Sequence, residues 1–319
     1  MLDIKTILAQ IPFCLQGTDF SNLGIKYQGK VRDNYTQGYK RILIATDRLS
    51  AFDRIICTIP FKGQVLNRMA QFWFDKTKDI VQNHAISYPD PNVIIGKECK
   101  PLALEMVVRG YLTGVTSTSA WYNYERGVRN FCGNILPDGM KKNQKFDTPI
   151  LTPSTKAEKG DHDESISPDE LIERGIITED LWDKLADISL KLFQRGVEIC
   201  AKQGIILVDT KYEFGFDENG DLTLIDEIHT PDSSRFWFES EYEIRFMEGI
   251  EQKKIDKEYL REWLAERGFR GEGEIPMIPE EVRAETARRY IEAYKLITGQ
   301  SFDGNVGDVT ARIKENLRI

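Results

Sequence analysis

Two periods of hydrophobic placement organise the chain. From about Ile25 to Ala45 apolar and polar residues alternate, with turn residues at Asp33-Asn34 and Gln37-Gly38, which predicts antiparallel strands. A helical period takes over from Gly63 to about Ile80, where Leu66, Met69, Ala70, Trp73, Phe74 and Thr77 fall on one spacing. Leu102 to Val108 reads as a strand opening a new segment, and Gly96-Lys97-Glu98-Cys99-Lys100-Pro101 before it as a hinge. Thr116 to Arg126 looks helical. Gly133 to Pro168 has little periodicity, and a loop that long is usually functional or disordered. Leu181, Leu185, Ile188, Leu192 and Ile199 mark a long helix ending at Gly204. Two further helices are expected at about Lys257–Arg267 and Pro279–Ile297. Ala284-Glu285-Thr286-Ala287-Arg288-Arg289 on the latter reads as a solvated face.

The segment after Gly204 carries the most chemistry. Val208 to Phe214 and Leu224 to Ile228 alternate around Asp217-Glu218-Asn219-Gly220-Asp221, and Asn-Gly between alternating runs signals a two-residue hairpin. That register puts Glu213 opposite Asp226. Asp209, Lys211, Glu213 and Asp226 then share one face, while Tyr212, Phe214 and Ile225 share the other. Like charges directly opposite destabilise a hairpin, so a cation is expected there. Mg²⁺ bridging nucleotide phosphates fits, since it is usually held by one or two carboxylates plus phosphate oxygens. A solvated face with Lys211 bridging the acids fits equally well.

With 319 residues the chain can bury a large core and divide into two lobes. No apolar run approaches the length of a bilayer span, and the N-terminus lacks the regions of a signal peptide, which suggests a cytoplasmic protein without a membrane partner. A net charge of −8 argues against nucleic-acid binding but not against a small anionic substrate. The five cysteines contain no CxxC pair and read as free thiols in a reducing compartment. The three histidines lack metal-ligand spacing.

Gly24 to Val31 nearly matches a P-loop, but Val31 stands where a Mg²⁺-binding hydroxyl is required, so that class is excluded. Gly29, Lys30 and Arg32 on an early hairpin can still cover phosphates, or form a plain turn. Asp47-Arg48-Leu49-Ser50-Ala51-Phe52-Asp53 concentrates polar groups after a strand and reads as a site or as a capping turn. Arg109 ends a buried strand and calls for an anionic partner, either a substrate or a salt bridge. Arg235 follows the hairpin closely enough to reach the same face, or sits beyond a helix-initiating turn at Asp232-Ser233.

Taken together, Gly29-Lys30-Val31-Arg32-Asp33, Asp47 to Asp53, Val108-Arg109-Gly110-Tyr111-Leu112-Thr113-Gly114, Leu151 to Glu158, Asp209 to Gly215, and Asp226-Glu227 with Thr230 to Trp237 resemble the SAICAR synthetases, in particular the longer form of that family. The resemblance implies an α+β protein of two lobes, residues 1–103 forming an antiparallel kinase-like sheet and 104–319 an ATP-grasp-like lobe with a helical tail. It implies an enzyme that joins L-aspartate to the carboxylate of carboxyaminoimidazole ribonucleotide (CAIR) at the expense of ATP, with Mg²⁺, in purine biosynthesis. Such a protein would be a monomer or small homo-oligomer. By the same resemblance Gly29, Lys30, Arg32 and Lys156 contact ATP, and Glu213 and Asp226 hold the metal. Arg109, Ser119, Asp209, Lys211 and Arg235 bind CAIR, with Lys211, Asp209 and Arg235 nearest the chemistry. Asp47, Ser50, Asp53, His162 and Asp163 border the substrates. Val115-Thr116-Ser117-Thr118 intervenes before Ser119, so Ser117 is an alternative to Ser119. A small-molecule kinase and a non-catalytic nucleotide-binding protein are the rival readings.

Overall fold

A computed structural model describes residues 2–52, 54–156, 164–255 and 258–319. The N-terminal half opens with helix α1 (Ile4–Gln10) and strands β1 (Ile25–Gln28), β2 (Arg32–Gln37), β3 (Lys40–Ala45), β4 (Arg48–Ala51) and β5 (Arg54–Thr58). Helix α2 (Lys62–Thr77) and strands β6 (Ala85–Asp90) and β7 (Val93–Lys97) follow. These build an antiparallel five-stranded sheet in the order β1-β2-β3-β7-β6, with β4 and β5 as a separate ribbon. Asp33-Asn34 lies inside β2 rather than at a turn. Asp33 is fully buried, accepting from Thr18 and Arg48, so long-range contacts override its turn propensity.

The second half begins with β8 (Lys100–Leu112), α3 (Ala120–Tyr124), β9 (Asn130–Phe131), β10 (Asn134–Ile135), β11 (Gln144–Leu151) and β12 (Ser154–Thr155). Strands β10, β11 and β12 therefore occupy part of the expected long loop. Then come α4 (Pro168–Glu173), α5 (Glu179–Ala201), β13 (Ile205–Phe216), β14 (Leu222–Ile225) and β15 (Ser234–Phe238). A capping box at Ser167 and Glu170 starts α4, and Thr178 caps α5. The chain ends in α6 (Glu239–Glu248), α7 (Glu258–Glu266), α8 (Glu280–Thr298) and α9 (Val309–Leu317). Strand β13 is the spine of the second sheet. It pairs with β8 along one edge and with β15 and then β14 along the other, while β11 and β12 extend β8.

The core runs between the sheets. Residues of α2, α5, β8, β13 and α8 form one buried cluster, and α9 closes a smaller one under the N-terminal sheet through Val309 and Ile313. Ala284, Thr286 and Ala287 of α8 are buried, so only the Glu285, Arg288 and Arg289 side of that segment faces water. No described helix is long and apolar enough to cross a membrane, and the five cysteines are free thiols.

Candidate active site

The hairpin closes one register away from expectation. Glu213 pairs with Ile225 and Phe214 with Leu224. Only Gly220, not Asn219, takes a positive φ (+79°), so the two left-handed residues of a tight type I′ loop are not available. Instead Asp217 accepts the backbone N–H groups of Asn219 and Asp221 and closes a three-residue loop. Paired residues share a face, so Ile225 turns toward the site while Leu224 joins the core. Asp226 still reaches the site, because a left-handed φ of +66° bends the chain out of β14.

The expected alternation of β13 is present: Tyr212 and Phe214 are buried in the core. The opposite face presents Asp209, Lys211 and Glu213. Register adds Arg109, Val107 and Glu105 from β8 and Arg235 from β15. Glu105 stands directly opposite Glu213, and Lys211 Nζ bridges the two carboxylates at 2.8 and 2.6 Å. Lys211 does bridge acids, but its second partner is Glu105 rather than Asp226.

Two cavities and a small extension open on this face. The first, about 480 Å³, lies between the sheets and is lined by Gly29, Lys30, Arg32, Lys156, Glu213, Ile225, Asp226 and Glu227. The second, about 280 Å³, is lined by Gly114, Asp209, Asp232, Arg235, Lys142, Lys254 and Arg261. A pocket of about 190 Å³ around Glu105, Arg109, Asp209, Lys211 and Arg235 joins this face.

Most charges on this face are paired. Arg32 forms ion pairs with Asp226 and Glu227, and Lys156 with Glu213. Burial favours the neutral form of Glu213, but Lys211 and Lys156 outweigh it and hold the carboxyl near a pKa of about 2. Burial pulls Lys211 down, and Glu213 and Glu105 more than reverse it. Glu227 is pushed up by burial against the pull of Arg32. Arg235 donates to Asp209 at 2.6 Å, and Arg109 lies 3.7 Å from the same oxygen. Arg109 also donates to Thr152 Oγ1 at 2.7 Å and to the Thr118 carbonyl at 2.8 Å.

Ser119 is buried at the start of α3, its Oγ 2.7 Å from Thr116 Oγ1, whereas Ser117 is exposed. A side chain at Gly114 would collide with Ser119 and crowd Arg235, which explains the glycine there. Asp47 is withdrawn from the cavities. It is buried and accepts from Leu15 N and Gly63 N, and burial lifts its pKa to about 6. Ser50 is half-buried on β4. Asp53, His162 and Asp163 lie outside the described residues.

Three residues escaped sequence reasoning. Glu105 had a visible signal, an acid in the middle of an alternating buried strand. Glu227 adjoined a residue already singled out. Arg48 is buried and donates to the carbonyls of Gly29, Lys30 and Gln16 and to Asp33, so it props the phosphate-loop candidate from below.

Carboxylates thus share one face with Lys211; Lys30 and Arg32 lie above them, and the second cavity is lined by Arg235 and Arg261. The sequence profile of the SAICAR synthetase family matches residues 25–277. The phosphoribosylaminoimidazole-succinocarboxamide synthase of Legionella pneumophila (strain Paris) is 50% identical over 311 residues, covering 97% of this chain and 99% of that one. The chloroplastic synthase of Arabidopsis thaliana is 49% identical over 305 residues, 94% of this chain and 74% of its own. The SAICAR synthase of Saccharomyces cerevisiae, solved in complex with SAICAR, superposes with a TM-score of 0.80 at 33% identity, covering 91% of this chain and 100% of that one. The chain belongs to the SAICAR synthetase family, C–N bond-forming ligases of purine biosynthesis, and has that family's two-lobed α+β fold.

Proposed function

We propose that the protein ligates L-aspartate to the carboxylate of CAIR with hydrolysis of ATP to ADP and phosphate, through an acyl phosphate. The observation that carries this reading is the single face of β13 on which Glu213, Lys211 and Asp209 lead from the inter-sheet cleft to the arginine-lined pocket. A carboxylate does not react with an amine at neutral pH because oxide is a poor leaving group. Phosphorylating it supplies a good one, and phosphoryl transfer asks the protein mainly for position and charge neutralisation.

ATP would lie between the lobe of residues 1–103 and that of 104–319, its phosphates under Gly29, Lys30 and Arg32 and beside Lys156. Glu213 and Asp226 are a donor set suited to Mg²⁺, two carboxylates on one phosphate-binding cleft. A Mg²⁺ held there would neutralise developing phosphate charge. Lys211, fixed between Glu105 and Glu213, directs its ammonium at the same region. Arg109 and Arg235 would grip the anionic groups of CAIR, with buried Ser119 rather than exposed Ser117 beside them. Asp209 on that face, or substrate phosphate, would take the amine proton, and an Asp209→Asn variant with undiminished turnover would remove Asp209 from that role. Free cysteines support a reducing compartment, and we place the enzyme in the cytoplasm.

The test is phosphate release with Mg²⁺-ATP, CAIR and L-aspartate, leaving out each in turn. Release that needs all of them, with SAICAR detected by mass, supports the ligase. ATP consumption without aspartate and a stable phosphorylated product would favour a kinase.

A further inference from the structure

The turn that carries Asp232, Ser233, Ser234 and Arg235 is held by two residues far from it in sequence. Lys62, at the start of α2, is fully buried, and its ammonium lies 2.7 Å from Asp232 Oδ2. Tyr290, in the middle of α8, donates its hydroxyl to Asp232 Oδ1 at 2.6 Å. The Lys62 ammonium also sits 5.4 Å from the Tyr290 ring centroid. A buried ion pair is retained only where geometry and further hydrogen bonds compensate its desolvation, and this one has both.

Movement of Asp232 would be felt in both cavities. Toward the inter-sheet cleft, Ser233 N and Ser234 N bond the Thr230 carbonyl, and Thr230 Oγ1 donates to Glu227, the partner of Arg32. Toward the second cavity, Ser234 Oγ donates to Thr210 Oγ1 at 2.8 Å, and Arg235 meets Asp209. Beneath the turn, Trp73 of α2 packs edge-on against His229 at 4.6 Å, so the same helix supports the segment twice.

We propose that Lys62 and Tyr290 are positioning residues of the ligase, acting through Asp232 to set Arg235 and its neighbours against the imidazole ribonucleotide. The inference rests on the ligase reading. It also gives the tail helix α8, beyond the matched family region, a part in the reaction.

The experiment is steady-state kinetics of full-length Tyr290→Phe, which removes one hydroxyl and keeps the ring beneath Lys62. Loss of a hydrogen bond to a charged group predicts a rise of about tenfold in KM for CAIR, a smaller rise in KM for ATP through Thr230 and Glu227, kcat near wild type and a thermal midpoint only slightly lowered. The paired variant Lys62→Met/Asp232→Asn, which removes both buried charges together, should show the same selective rise. An unchanged KM for CAIR in Tyr290→Phe, or a lowered thermal midpoint with equal losses for all substrates, overturns the positioning role. A wild-type protein that makes no SAICAR overturns the ligase reading and this proposal together, and that result is seen before any variant is made.

Discussion

Lys211→Met tests the electrostatics of the site most sharply. The Lys211 ammonium lies 2.8 Å from Glu105 and 2.6 Å from Glu213, and the strand register places those two acids face to face. Directly opposed side chains have Cβ atoms about 5 Å apart. Two carboxylates at roughly that separation repel by about 3 kcal/mol at an effective dielectric constant of ~20, or roughly two pKa units. In the native protein burial raises Glu213, but Lys211 and Lys156 prevail and hold it at about 2. Its stabilisation is therefore present above the unfolded pKa and is lost as pH falls through the folded one. Without Lys211, burial and the facing Glu105 act against Lys156 alone; where they prevail the folded pKa of the pair lies above the unfolded value and the sign reverses. Stability is then lost as pH rises through the shifted pKa. Part of that loss is already present at pH 5, so the stability gap between wild type and variant should widen from pH 5 to pH 8 by about 2 kcal/mol. For 319 residues the unfolding entropy is about 0.7 kcal/mol/K, so the gap in thermal midpoint should grow by about 3 °C. Scanning calorimetry of both proteins across that pH range provides the measurement. A gap that stays constant or narrows would refute the bridged-carboxylate account.

Arg48→Lys keeps a cation beside Asp33 but loses the fork that reaches the Gly29 and Lys30 carbonyls. It should raise KM for ATP by about tenfold while changing KM for aspartate little, as initial-rate kinetics would show. Asp226→Asn should raise the Mg²⁺ concentration for half-maximal rate by about tenfold, and an unaltered Mg²⁺ titration would exclude it as a ligand. Burial holds both His84 and His229 down at about 3, so the unfolded chain takes up protons near pH 6.5 that the folded one refuses. Their contribution is complete above pH 6.5 and falls as pH drops toward 3. In urea melts at pH 7 and pH 5, His84→Gln should lose about half of the decline due to this pair.

Helices α2, α5, α7 and α8 were legible because each carries its own amphipathic period. The shared face of Asp209, Lys211 and Glu213 was legible because alternation within one strand is a local property. The hairpin register was not: it depended on whether Asp217 or Asn219 governed the loop, and the side chain of Asp217 decided it. Glu105, Arg48 and the Arg32 pairing were hidden for a related reason. Their roles come from partners on other strands and turns, between 15 and 195 residues away in sequence. Asp47 looked like a site residue by composition, yet the structure commits it to two backbone N–H groups inside the N-terminal lobe. Helices α6 and α9 went unmarked, though α9 helps close the N-terminal core.

In the proposed ligation the CAIR carboxylate is activated by phosphorylation. The most direct test is turnover of CAIR carrying ¹⁸O in that carboxylate, with mass analysis of the phosphate released. An acyl phosphate transfers one carboxylate oxygen to phosphate, so the account predicts one ¹⁸O in each phosphate formed. Phosphate free of label, alongside normal formation of SAICAR, would contradict it.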